Sequence, residues 1–124
     1  MKFKTKDRGG KIIPTRAGNS ALGWIHFSKK HNITNSNVIK KIISGTSKPD
    51  REKGRPHRLV YNGALVTRDG LGFPKKLASI RIVAEYNWQT EDGRYRLPSK
   101  SDKIGVITAF CVGTNRCPDK VNSA

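Results

Sequence analysis

The sequence predicts an α+β domain in which two N-terminal helices pack on one face of an antiparallel sheet of four or more strands. Three observations carry that prediction: helical periodicity confined to residues 19–45, a switch to period-two alternation after residue 57, and turn signals between successive alternating runs. A length of 124 residues suits one domain with a modest core, and no internal repeat divides it.

Residues 1–18 carry Lys2, Lys4, Lys6, Arg8, Lys11 and Arg16 around two adjacent glycines and Pro14, without sustained period. A basic arm or linker remnant is expected there, followed by a single nuclease-like domain over 19–124. Asn19 and Ser20 are each good N-caps for a first helix running to about His31. A second start signal at Thr34 to Ser36 precedes Val38, Ile39, Ile42 and Ile43, which share one helical face, and Gly45 closes the segment. Residues 46–57, TSKPDREKGRPH, read as a loop. Beyond them Arg58 to Tyr61 and Ala64 to Arg68 flank Asn62-Gly63, a hairpin signal, and Asp69-Gly70 ends the second strand.

Gly72, Phe73 and Pro74 break the chain before SIRIVAEYNW, where Ile80, Ile82, Ala84 and Tyr86 alternate with Ser79, Arg81, Val83 and Glu85. A turn around Asp92-Gly93 and a break at Pro98 allow this strand to fold back as a ribbon through Arg94 to Leu97. In the last run Ile104, Val106, Thr108, Phe110 and Val112 share one face, and Gly105, Ile107, Ala109 and Cys111 the other. Its nearly continuous apolar character predicts a central, doubly covered strand.

Lysine and arginine number 25 against nine acidic residues, a formal charge of +16 that repels itself unless a polyanion or acidic partner is near. No apolar stretch of signal-peptide length follows the basic start and no membrane-length apolar run exists, so neither an export signal nor a membrane anchor is expected in this chain. Cys111 and Cys117 lack a second pair at zinc-ligand spacing; a short disulfide loop and two reduced thiols both fit. The scattered carboxylates offer no two-metal cage, and no metal or cofactor is expected. Phosphate-cradling glycine loops and a nucleophile elbow are also missing, which argues against nucleotide hydrolysis and acyl transfer.

All three histidines fall between residues 26 and 57. On a helix His26 and Lys30 share a face, and His31 lies about 140° from His26, beside Trp24 and Phe27. A cation at Lys30 would lower the pKa of His26 and favour a neutral base. RNA cleavage by its own 2′-hydroxyl needs a base, an acid for the leaving 5′-oxygen and positive groups near phosphorus, and histidine with lysine or arginine suffices. His26, His31, Arg81 and Thr108 are the catalytic candidates; Lys29, Lys30, His57, Arg58 and Phe110 are the candidates for holding substrate. Ordinary alternatives stand beside them: packing or surface histidines, a structural Arg81–Glu85 pair, and a threonine that simply suits a strand.

The string GWIHFSKKHNIT, a second helix VIKKIISG and a closing strand GVITAF together resemble the barnase/EndoU/colicin-D/RelE-like bacterial toxin nucleases. That group often carries a two-histidine helix, a cation on a middle strand and a Ser/Thr-x-aromatic pattern on the last strand; the matching positions are His26 and His31, Arg81, and Thr108 with Phe110. The resemblance spans roughly residues 20–117. It implies a metal-independent endoribonuclease that acts on tRNA or other RNA in the target-cell cytoplasm. Such a module is commonly delivered as part of a larger contact-dependent or polymorphic toxin, with a cognate acidic immunity protein as partner. Charge alone leaves two other readings open: a non-catalytic RNA- or DNA-binding module, and a ribosome-associated protein.

Overall fold

Alternating apolar residues on three long strands and an isoleucine-rich helix face supply the surfaces that must be buried, and their packing sets the architecture. The computed structural model describes residues 3–90 and 93–123, except for the side chains of Glu52 and Pro56. In chain order the elements are β1 (Phe3–Lys6), β2 (Ile12–Thr15), α1 (Gly23–Lys30), α2 (Ser36–Ser44), β3 (Asp50–Glu52), β4 (Arg55–Arg68), β5 (Pro74–Glu85), β6 (Gly105–Cys111) and a 3-10 turn over Asp119–Ser123. The class is α+β, with two helices, a two-stranded sheet β1-β2 and a four-stranded sheet in the order β3-β4-β5-β6; every pairing is antiparallel.

One face of the larger sheet presents Leu59, Tyr61, Leu65, Ile80, Ile82, Ala84, Val106 and Ala109 to Val38, Ile39, Ile42 and Ile43 of α2, Phe27 of α1 and Ile13 of β2. Removing this much apolar side chain from water is the main favourable term in folding so small a chain. The other face is open: Arg58, Val60, Asn62, Ala64, Val66 and Arg68 alternate along it on β4, half-buried near the sheet centre and exposed further out.

From Phe3 to Thr15 the chain folds into the β1-β2 hairpin rather than an arm, so strands, not helices, come first among the described residues. Ile13 and Thr15 are fully buried, and Asp7, 4 % exposed, accepts a hydrogen bond from the Tyr61 hydroxyl (2.7 Å) and another from the Lys11 amide (2.9 Å). Burial, and next the Asp7 carboxylate, push the Tyr61 phenol far above its usual pKa, so it stays a donor. This bond ties the β1-β2 hairpin to the sheet.

Four further expectations are corrected. The first helix begins at Gly23, because Asn19 caps a preceding turn instead, its side chain accepting from the Ala21 and Leu22 amides. The segment 46–57 contains β3 and the start of β4. Asn62-Gly63 is not a turn: β4 runs straight through it, and the hairpin closes at Asp69, whose carboxylate accepts from the Leu71 and Phe73 amides. The strand β6 lies at an edge of its sheet, flanked by α1 and β2 rather than by a second strand on the ladder. The expected fold-back after β5 is present as a short ribbon among the described residues: Gln89 bridges Arg96, the Thr90 amide donates to the Tyr95 carbonyl and the Leu97 amide to the Trp88 carbonyl. Asp92 of its expected turn lies outside the described residues. The second helix matches its expected bounds, with the Asn35 side chain accepting from Asn37 N as N-cap.

Gly63 has a packing reason. A Cβ there would stand 2.6 Å from Cδ1 of Ile42, so the missing side chain lets α2 approach β4 closely. Gly63→Val is therefore expected to lower stability by about 1–3 kcal/mol through overpacking, read from the urea unfolding midpoint. A residue in an exposed turn would show little change.

Candidate active site

Two clefts meet at Thr108 on the open face of the sheet. One, of about 480 Å³, is lined by residues that include Asn19, His26, Arg55, Arg58, Arg94, Tyr95 and Thr108; the other, of about 580 Å³, by His31, Thr108, Phe110 and the loop over Gly113–Asn115. A β-bulge makes the junction. The pairing of β5 with β6 slips between Val83–Thr108 and Ala84–Val106, leaving Ile107 as the extra residue. The alternation of β6 therefore changes phase: Val106 enters the core with Ala109 and Cys111, and both Ile107 and Thr108 border the first cleft. The uninterrupted alternation expected from sequence fails at this bulge.

His26 projects from α1 over the edge of β6 and is held at both ring nitrogens. Nδ1 lies 3.0 Å from the Ser20 carbonyl oxygen and Nε2 lies 3.1 Å from Oγ1 of Thr108. A carbonyl can only accept, so Nδ1 carries a proton; in the neutral ring Nε2 then accepts from the threonine hydroxyl. The lone pair of a potential base thus faces the arginine-lined cleft. Local backbone explains the grip. Trp24 and Ile25 amides donate to the Arg16 and Ala17 carbonyls, folding residues 16–23 into a tight turn. Gly23, at φ +82°, would with a Cβ stand 2.9 Å from the Gly18 Cα. Only a glycine pair closes this turn and brings Ser20 beneath the imidazole.

His31 joins the same site by a route the helical wheel misses. The helix ends at Lys30, residue 31 leaves helical geometry, and its ring meets that of His26 edge-on with centroids 5.3 Å apart. Its Nδ1 lies 2.7 Å from the Asn115 carbonyl and its other neighbour is Phe110, 5.8 Å away. Cys111 and Cys117 are disulfide-bonded and clamp the loop that carries Asn115; the Cys117 amide donates to the His31 carbonyl and Arg116 donates to the Lys29 carbonyl.

Arg58 borders the first cleft with its guanidinium bonded to Glu85, from Nη2 at 2.9 Å and Nε at 3.3 Å. Glu85 is fully buried and its Oε1 has no partner, so the pair fixes the arginine at a desolvation cost. The Arg81–Glu85 pairing considered from sequence is thus replaced: Arg81 is exposed, donates to Oδ1 of Asn62 at 2.9 Å, and stands opposite Phe110 in the ladder without lining either cleft. Lys29 and Lys30 are exposed at the end of α1, and His57 is exposed on β4; none of the three borders the clefts. Sequence reasoning missed Asn19, Arg55, Arg94, Tyr95, Ser20 and Asn115. The last two act through carbonyls, which no residue-type pattern reveals.

Among the described residues no group of three His, Cys, Asp or Glu side chains is placed to hold a metal ion, and no described helix is long and apolar enough to cross a membrane. Comparison with protein-family models, with curated proteins and with solved structures finds no match.

The pKa of His26 lies below its usual 6.5, chiefly because burial disfavours the charged ring; His31 and Lys30 add repulsion, against a raising effect from the Ser20 carbonyl. The neutral ring is the one that can accept a proton, so basic function is present above this pKa and lost as pH falls through it. An NMR titration is expected to give His26 a midpoint below 6.5, moved upward by Lys30→Gln. A midpoint unchanged in the variant would remove Lys30 from the electrostatics of the site.

Proposed function

We propose that the chain is a metal-independent endoribonuclease that cleaves RNA by attack of the 2′-hydroxyl on the adjacent phosphorus, leaving a 2′,3′-cyclic phosphate and a free 5′-hydroxyl. The observation that carries the reading is the imidazole of His26, with its accepting nitrogen turned toward a cleft bordered by Arg55, Arg58 and Arg94. A ribose hydroxyl that displaces the Thr108 hydroxyl from Nε2 gives its proton to His26 as its oxygen bonds phosphorus. The P–O5′ bond breaks, and His31, in its charged form, returns a proton to the leaving oxygen. Its Nδ1 is occupied by Asn115, which leaves Nε2 for that role.

Thr108, freed from His26, can donate to a phosphate oxygen, while the arginines offset the charge that grows on the equatorial oxygens. Arg58 suits this task because Glu85 holds it in place before substrate arrives. Arg81, the strand cation singled out from sequence, contributes at a distance from the reacting atoms in this arrangement. The resemblance to bacterial toxin nucleases extends the proposal to its setting: tRNA as the substrate class, delivery as part of a larger toxin to the cytoplasm of a target cell, and an acidic immunity protein that neutralises the +16 surface.

Incubation with mixed tRNA in EDTA is expected to give discrete fragments with cyclic-phosphate ends. His26→Ala should lower the rate by roughly 10²–10⁴-fold with folding retained, and Thr108→Val should cause a smaller loss. Binding of tRNA without any cutting would contradict the catalytic reading and favour a non-catalytic module.

A further inference from the structure

Beyond the clefts, the β4-β5 hairpin projects as a ribbon. The β6 ladder ends at the Ile80–Cys111 pair and the β3 ladder at Asp50–Val60, so from the Leu65–Ala78 pair outward β4 and β5 are bonded only to each other within the described ladders. The inner part of this ribbon is anchored, with Leu65 in the core, Leu77 packed against it and a cleft shared by Arg68, Lys76 and Lys120 of the 3-10 turn. Its outer part carries exposed apolar side chains: Val66 is 57 % exposed, Phe73 63 % and Leu71 84 %. The charge of the ribbon is predominantly positive, with Asp50 of β3 alongside, whose carboxylate accepts from Asn62 at 3.5 Å. Between Arg58 and Arg81 the chain carries five cations and a single acid, Asp69, whose carboxylate is taken up by the Leu71 and Phe73 amides of its own turn.

The register places four of these cations in a line; the fifth, Lys75, stands opposite Thr67 on the other face. Arg58, Asn62, Val66 and Arg68 alternate on the open face of β4; Arg81 stands opposite Asn62 and Lys76 opposite Val66. The line starts at the arginine that borders the His26 cleft and ends at the hairpin tip, ten residues along β4, or about 33 Å at the usual strand rise. Phe73 lies exposed at its far end. Cations tracking one direction with an aromatic beside them are what a nucleic-acid strand requires: ionic contacts for successive phosphates and a flat surface for a base.

We infer that Arg81, Lys76 and Arg68 form an extended RNA-binding track, an exosite that engages the substrate strand several nucleotides away from the scissile phosphate. This rests on the ribonuclease reading for the identity of the polyanion and goes beyond it in assigning the ribbon a function and the substrate a minimum length. A trinucleotide can fill the cleft but cannot reach Lys76; a strand of twenty nucleotides can occupy both.

The test measures binding of uncleavable 2′-O-methyl RNA, three or twenty nucleotides long, over a range of salt, and separately the cleavage of the matching unmodified RNAs. The double variant Arg68→Glu, Lys76→Glu should bind the 20-mer at least tenfold more weakly, with the slope of log affinity against log salt reduced by about 1.4 for two lost phosphate contacts on a single strand. Its affinity for the trinucleotide should not change. The charge-matched double variant Lys4→Glu, Lys6→Glu, on the exposed strand that packs against α2, should leave both affinities near wild type. Equal losses at both lengths, an equal loss in the charge-matched variant, or no loss on the 20-mer, as expected of a ribbon that serves a protein partner, would each overturn the track. A length-dependent loss in a wild-type background that cuts no RNA would support the track and remove the ribonuclease reading, so the two fail separately.

Discussion

Ser20 presents a carbonyl to one nitrogen of His26 and Thr108 a hydroxyl to the other, and this two-ended grip fixes both the ring and the position of its proton. Most of the local structure serves it. The glycine pair at 18 and 23 closes the turn that brings Ser20 under the ring, and the bulge at Ile107 carries Thr108 out of the core-facing alternation. Placement of α1 against the edge of β6, rather than over the sheet, lets a helical side chain reach the open face at all. A histidine held in this way needs little reorganisation before it accepts a proton, which is how fixed hydrogen bonds make an ordinary imidazole useful as a base.

The electrostatics act at two ranges. Near the ring, burial with His31 and Lys30 disfavours its protonation; across the open face, arginines border the cleft and further cations extend along the hairpin. The buried Glu85 is the local counterweight. It leaves Arg58 oriented, and with one unpartnered oxygen it marks a place where stability gives way to the arrangement of the site. The disulfide has a comparable effect on the second cleft, since it closes the loop whose Asn115 carbonyl holds His31.

Periodicity made part of this legible. The faces of α2 and β5 and the pairing of helices with an antiparallel sheet follow from spacing alone, because those segments bury one face and expose the other. Gly63 misled because asparagine-glycine signals a turn only when no partner needs the room; here Ile42 fills the space. The N-terminal hairpin was hidden by its lysines, which alternate outward on β1 while Thr5, Ile13 and Thr15 turn inward. At the site, His26, His31, Thr108 and Arg58 are visible by residue type. Arg81 drew attention as a cation on an apolar strand, but its placement depends on register, and the edge contact of the two imidazoles depends on the helix ending one residue before His31. Carbonyl partners such as those of Ser20 and Asn115 carry no side-chain signature, and so became visible only in three dimensions.

The tautomer of His26 tests this arrangement most directly. Long-range proton–nitrogen correlation spectra of the imidazoles, recorded with the ring neutral, should show the proton on Nδ1 and a bare Nε2 for residue 26. A proton on Nε2 would contradict it: the ring would then have no accepting nitrogen directed at the arginine-lined cleft, and the base proposed for the 2′-hydroxyl would not exist.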